Sequence, residues 1–178
     1  MRFLTYSECA EWWSHQGFVT GHRQGSAFGP EPAPPFHFVE FPHPADSGKK
    51  IWLARYLYSL VRESPELLIW ISDWDIWPSS QHMPLFTRFR QAFGEQRLLD
   101  EAPGHLVTPD EADDAISIIS VSLLFIWNCH VLCASGRDAF FTSHDEYGWY
   151  ASHDESVVQS VRVHLAKASI TVTDTKPG

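Results

Sequence analysis

Basic residues are scarce in this chain. It carries 13 Lys and Arg against 22 Asp and Glu, for a formal net charge of −9. A nucleic-acid backbone is bound by clustered Lys and Arg, so the balance argues against that class of partner and favours one with basic charge. Cysteine is also scarce, with only Cys9, Cys129 and Cys133. On one strand the last two would lie roughly 13 Å apart, and a disulfide needs a Cα separation below about 7 Å. Free thiols and a reducing compartment are expected. Long apolar runs are missing: stretches such as Leu123–Trp127 fall far short of the roughly 20 residues that cross a bilayer. The opening "MRFLTYSECAEWW" reaches Glu8 without the apolar core of a signal peptide. The expectation is a cytoplasmic protein with no membrane partner.

The usual catalytic and metal signatures are missing too. There is no H-E-x-x-H, no C-x-x-C and no G-x-S-x-G. "PADSGKKIW" (44–52) puts Gly-Lys-Lys at a helix start, which invites a phosphate reading. A P-loop needs a Gly at position 43 and Ser or Thr at position 50, which are His43 and Lys50. The stretch reads instead as a capped helix with exposed lysines. His144-x-Glu146 matches half of the zinc deaminase signature, but Cys129 and Cys133 are wrongly spaced and lie upstream. No metal or cofactor is implied.

What is present is enough for a core. The 178 residues are 44% hydrophobic and 14% aromatic, which suits one globular domain spanning 1–178. Thr5-x-x-Glu8 has the form of a capping box opening a helix that Gly17 can close. Residues 21–35 read as a Gly- and Pro-rich loop, and "FHFVEF" (36–41) as a strand. Asp46 or Ser47 caps a helix to about position 63, with Leu53, Leu57, Leu60 and Val61 on one face. "LLIWIS" (67–72) is a buried central strand. Helices are expected over 84–93 and from Thr108-Pro109 onward. "EAPGH" reads as a turn, 123–134 as a strand, and 138–143 as its hairpin partner. A helix over 154–167 and a short edge strand at 170–172 follow. Helices and strands mix without strict alternation, which defines an α+β fold: one mixed or mainly antiparallel sheet with helices packed on it.

Acids cluster. Residues 95–114 hold seven against the single base Arg97, and 138–156 hold five with no Lys or Arg. The second cluster contains Ser-His-Asp-Glu twice, at 143–146 and 152–155. In the second copy, Ser152-x-x-Glu155 precedes the stripe Val157, Val158, Val161, Leu165 and reads as a capping box. The first copy is followed by "EYGWYA", where Gly148 interrupts any long helix. His144, Asp145 and Glu146 therefore fall in a strand-end loop, where binding residues concentrate. Tyr147, Trp149 and Tyr150 beside them either cover the core or form a protein-contact surface. A metal site would need His144, Asp145 and His153 to converge.

"ISDWDIWPSS" (71–80) sends two carboxylates and two indoles out of the central strand, where sheets often bind ligands. Asp73 and Asp75 can pair for acid/base work, or cap a turn while Trp74 and Trp77 pack on the sheet. Asn128 and His130 are polar insertions on an apolar strand, facing either a pocket or satisfied core partners.

"SDWDIWPSS", an acidic helix start, then "LLFIWNCHVL" leading through a turn to "SHDE" resembles small bacterial cytosolic proteins. Some of that kind are encoded near polymorphic toxins as immunity proteins. The resemblance covers residues 67–150 and implies a non-enzymatic inhibitor. Its contact surface for a cationic toxin or effector is expected at Asp73, Trp74, Asp75, Trp77, His144, Asp145, Glu146, Tyr147 and Trp149. The alternative is a hydrolase, metal-dependent or not, using Asp73, Asp75, His130 or His144 at strand ends, with Asp73 and Asp75 as an acid/base or metal pair.

Overall fold

The computed structural model describes residues 1–20, 29–73 and 84–172. The chain order is β1 (Arg2–Leu4), α1 (Tyr6–His15), β2 (Phe18–Thr20), β3 (Pro30–Pro32), β4 (His37–Pro42), α2 (Ser47–Val61) and β5 (Leu67–Asp73). Then come α3 (Pro84–Ala92), β6 (Gly104–Val107), a short 3₁₀ turn (Pro109–Glu111), α4 (Ala112–Phe125), β7 (Asn128–Cys133), β8 (Asp138–Thr142), β9 (Tyr147–Ser152) and α5 (Glu155–Lys167).

Local chemistry starts the helices where the sequence marks them. The Thr5 N–H donates to Glu8 Oε2 at 2.7 Å, and the Thr108 N–H donates to Glu111 Oε2 at 2.9 Å. Each carboxylate returns to its own cap, which satisfies an otherwise orphaned donor. The Lys49 N–H donates to Asp46 Oδ1 at 2.8 Å, so Asp46 is the cap of α2. Proline 109 opens the 3₁₀ turn before α4.

Seven strands form one sheet in the order β1-β6-β5-β7-β8-β9-β4. All its pairings are antiparallel. The fold is α+β, as the element pattern implies. Side chains alternate across the sheet. Val39, Phe41, Ile69, Ile71, Cys129, Val131, Phe140 and Tyr150 face a core shared with α2, α4 and α5. Leu68, Trp70, Leu132, Phe141, Trp149 and Ala151 face a second core closed by Cys9, Trp12 and Trp13 of α1 and Phe18 of β2. Because both faces are covered, "LLIWI" is apolar without alternation. Cys9, Cys129 and Cys133 are all free and buried.

Three expectations are corrected. Residues 123–125 finish α4 instead of opening a strand. Ala115, Ile118, Ile119, Ser122 and Leu123 are its buried face, and the helix stops where Ile126 takes a left-handed φ of 58°. A β-branched residue in that region gives no sequence warning and costs about 1–2 kcal/mol. The next residue, Trp127, is fully buried, which offsets that cost. Gly104 and His105 of "EAPGH" belong to β6, paired with both β1 and β5. Residues 170–172 form no strand, and Ile170 is buried in the core behind α5.

Gly148 sits inside β9. A Cβ there would stand 2.7 Å from the Phe141 carbonyl oxygen and 2.9 Å from the Phe41 ring. The glycine is there for the close approach of that ring across the strand pair, and strand pairing continues through it. Gly148→Ala is expected to lower stability by about 1–3 kcal/mol, read as a lower urea midpoint with an unchanged slope.

Candidate functional site

The site forms where the end of β5 meets the hairpin between β8 and β9. The register of β5 on β7 shifts between Ile71 and Asp73, which sets Asp73 opposite Asn128. Asn128 is 1% exposed, and its amide is used at both ends. Its Nδ2 donates to Asp73 Oδ2 at 3.3 Å, and its Oδ1 accepts the His144 backbone N–H at 2.8 Å. One buried side chain thus fixes a carboxylate from β5 against a loop 16 residues further along the chain.

The loop is "SHDE" itself, residues 143–146. The Ser143 N–H donates to the Tyr147 carbonyl at 2.7 Å, and the Glu146 N–H to the Ser143 carbonyl at 3.2 Å. Ser143 Oγ accepts the Asp145 N–H at 3.0 Å. Glu146 takes a φ of 61°, a place that favours glycine, and its carbonyl accepts the His43 N–H at 2.7 Å. A non-glycine residue in that region is strain held in place by its surroundings.

The His144 ring lies between two carboxylates. Nδ1 is 3.3 Å from Asp73 Oδ2, and Nε2 is 3.6 Å from Asp145 Oδ1. The Nδ1 contact lacks hydrogen-bond geometry, so it is a close approach rather than the directed bond of a catalytic dyad. Asp73 and His144 are about three-quarters buried, while Asp145 is 58% exposed. Tyr6 completes the rim from α1. Its hydroxyl donates to the Ser72 carbonyl at 2.8 Å, and its ring sits edge-on to Trp70 at 5.3 Å. Burial, and then the charge of Asp73, hold its phenol above the usual range. The ring remains 47% exposed.

Asp73, His144, Asp145 and Glu146, all expected from the sequence, come together here. Trp74, Asp75 and Trp77 lie outside the described residues. Tyr147 is half-buried, with its ring edge-on to Phe141 at 6.3 Å. Trp149 is 2% exposed and belongs to the second core, so it offers no contact surface. Tyr150 is fully buried in the first core. His130 is enclosed on the second face, stacked on Trp70 at 5.3 Å and 4.5 Å from Phe141. Burial lowers its pKa to about 3. Tyr6 was not anticipated, because nothing near it in sequence points to a carboxylate 67 positions away. Asn128 was visible as a polar insertion, but its two partners were not.

The second Ser-His-Asp-Glu behaves differently. Asp154, not Ser152, caps α5: its Oδ1 accepts the Ser156 N–H at 2.8 Å. The Ser152 hydroxyl instead accepts the Asp154 N–H at 3.0 Å, the same turn that Ser143 makes with Asp145. Hydrogen bonds from Ser156 keep the Asp154 carboxyl below its ordinary range. β8 and β9 are antiparallel, so their C-terminal ends lie at opposite sides of the sheet, roughly 20 Å apart for six residues. His153 bonds the Ala33 carbonyl at 2.9 Å. His144 and His153 do not converge, and no cluster of three metal-ligating side chains occurs among the described residues.

The fold and this site define an α+β protein that presents an acidic hairpin beside the end of its central strand. No family model, no curated protein and no solved structure matches the chain. No helix among the described residues is long and apolar enough to cross a membrane.

Proposed function

We propose that this is a non-enzymatic binding protein, an immunity-type inhibitor that masks a cationic toxin or effector. The observation that carries the reading is the Asn128 latch, which holds Asp73 and the exposed Asp145–Glu146 loop in one rigid acidic patch. Preorganised charge steers a basic partner and fixes its register. The rim ring of Tyr6 supplies the aromatic contact that interface hot spots favour. A protein of this type works in the cytoplasm, where its cognate toxin would act.

The test is calorimetric titration against a basic toxin-domain protein, taken from genes neighbouring this one. Neutralising Asp73, Asp145 and Glu146 together (Asp73→Asn, Asp145→Asn, Glu146→Gln) is expected to weaken binding by about a hundredfold or more and to flatten its salt dependence. Unchanged affinity in the triple variant would remove the patch from the interface.

A hydrolase reading rests on the proximity of His144 to Asp73. It requires His144→Gln to abolish turnover of an ester or phosphoester panel while partner binding survives. The inhibitor reading expects no turnover to lose.

A further inference from the structure

Helix α2 has a charge pattern opposite to that of the whole chain. It carries three of the 13 Lys and Arg residues and none of the 22 Asp and Glu residues. Lys50 is buried, while Lys49 and Arg55 are exposed and form no ion pair among the described residues. Between them, Ile51 and Trp52 are 41% and 39% exposed. The Trp52 ring stacks on Tyr56 at 5.3 Å and 6°, and Tyr56 stacks on His164 of α5 at 5.6 Å. An exposed indole held this way loses little freedom on contact, and Trp, Tyr and Arg dominate protein interfaces. The acids of the adjoining α4 stand elsewhere: Asp113 acts on Tyr58, toward the other end of α2. From Ala115 to Phe125, α4 has no charged residue.

The acidic hairpin adjoins the start of this helix. The His43 N–H donates to the Glu146 carbonyl at 2.7 Å, and the charge of Lys50 reaches the His43 ring. The exposed Asp145 and Glu146 therefore lie beside the beginning of α2, where the exposed cap Asp46 adds a third acid. Acids come first along this strip, and the basic, apolar face follows over about 14 Å of helix. Turned end for end about a two-fold axis, such a strip sets base on acid twice. That is the self-complementary contact of a closed C2 dimer. An anionic membrane or an unrelated acidic protein would use only the basic half, and the acidic half would repel it.

We propose that two copies of this chain pair through the strip. The Lys49–Arg55 face of each copy sits on the Asp145–Glu146 hairpin of the other, with Trp52 as the apolar contact. The pairing does not rest on the inhibitor reading. It covers the hairpin, so pairing and capture of a basic partner exclude one another.

Sedimentation velocity of the unaltered protein alone, from about 1 μM to about 1 mM, is expected to show a monomer–dimer equilibrium that high salt shifts toward monomer. Two charge-reversed proteins locate the contact: Lys49→Glu with Arg55→Glu, and Asp145→Lys with Glu146→Lys. Each alone is expected to dimerise about a hundredfold more weakly. An equimolar mixture of the two is expected to dimerise again, because both mixed contacts then set base on acid. All four changes are to exposed side chains, and the series on the unaltered protein stands without them. An unaltered protein that stays monomeric throughout overturns the proposal. So does a dimer that either charge-reversed protein still forms alone at full strength, or a mixture that fails to pair. Flotation of the monomer with phosphatidylglycerol vesicles, lost on Lys49→Glu with Arg55→Glu, would give this face to a membrane and overturn it too.

Discussion

Lowering the pH from about 7.5 to about 5 is expected to remove about 6 kcal/mol of folding stability through three buried histidines. His105 and His130 are held neutral with pKa values near 3, and His43 near 4. Burial is the main cause in each; the Arg90 charge adds to it at His105 and the Lys50 charge at His43. Each histidine has a folded pKa below its unfolded value of about 6.5. The unfolded chain therefore takes up protons first as the pH falls. The stability these groups contribute is complete above about pH 6.5 and drains away toward pH 4 and 3. At about pH 5 each unfolded imidazole gains about 2 kcal/mol from protonation that the fold denies it. The sum rivals the whole stability margin of a typical domain, so cooperative acid unfolding near pH 5 is expected. Urea titrations across this range check it, and His105→Gln should make the slope shallower. A flat profile between about pH 7 and 5 would mean that these rings find partners when charged.

Replacing Asn128 by alanine is expected to cost about 3 kcal/mol, because it takes away one hydrogen bond to a carboxylate and one from a part-buried backbone N–H. For a chain of this length that corresponds to a Tm lower by roughly 6–12 °C. The effect should be local as well as global. Amide exchange at 143–147 is expected to speed up, because the His144 N–H and the Asp73 carboxylate lose their common anchor. Partner affinity should fall although no acidic side chain has been altered. A variant with an unchanged Tm and an equally protected hairpin would show that the strands alone set the loop.

The latch and the loop differ in how far they could be read from the residues. Asp145 and Glu146 were legible as exposed acids in a strand-end loop because the turn residues are adjacent. The link from Asp73 to Asn128 to His144 joins positions 55 and 16 residues apart, and only strand register brings them together. The burial of Trp149 is hidden from the sequence for a related reason. It lies on a strand covered on both faces, so neither side of the alternation is exposed. Gly148 looked like a break, but its role depends on Phe41, a residue from another strand. The end of α4 was hidden because an isoleucine, not a glycine, takes the left-handed position.

The sequence by itself determined what short-range chemistry determines. The Thr5–Glu8 and Thr108–Glu111 pairs and the Asp46 cap lie three residues apart, within reach of a single turn. The buried stripe of α2, with Leu53, Leu57 and Val61, follows from helical period alone. The acidic balance follows from composition. The doubled Ser-His-Asp-Glu marks the limit of that reading. Both serines accept the N–H of the aspartate two residues on, at 3.0 Å each, so locally the copies are alike. Only the tertiary structure separates them. Antiparallel pairing of β8 and β9 sends one to a helix start at the far end of the sheet. The other is set beside Asp73 and Asn128, because sheet register acts between strands distant in sequence.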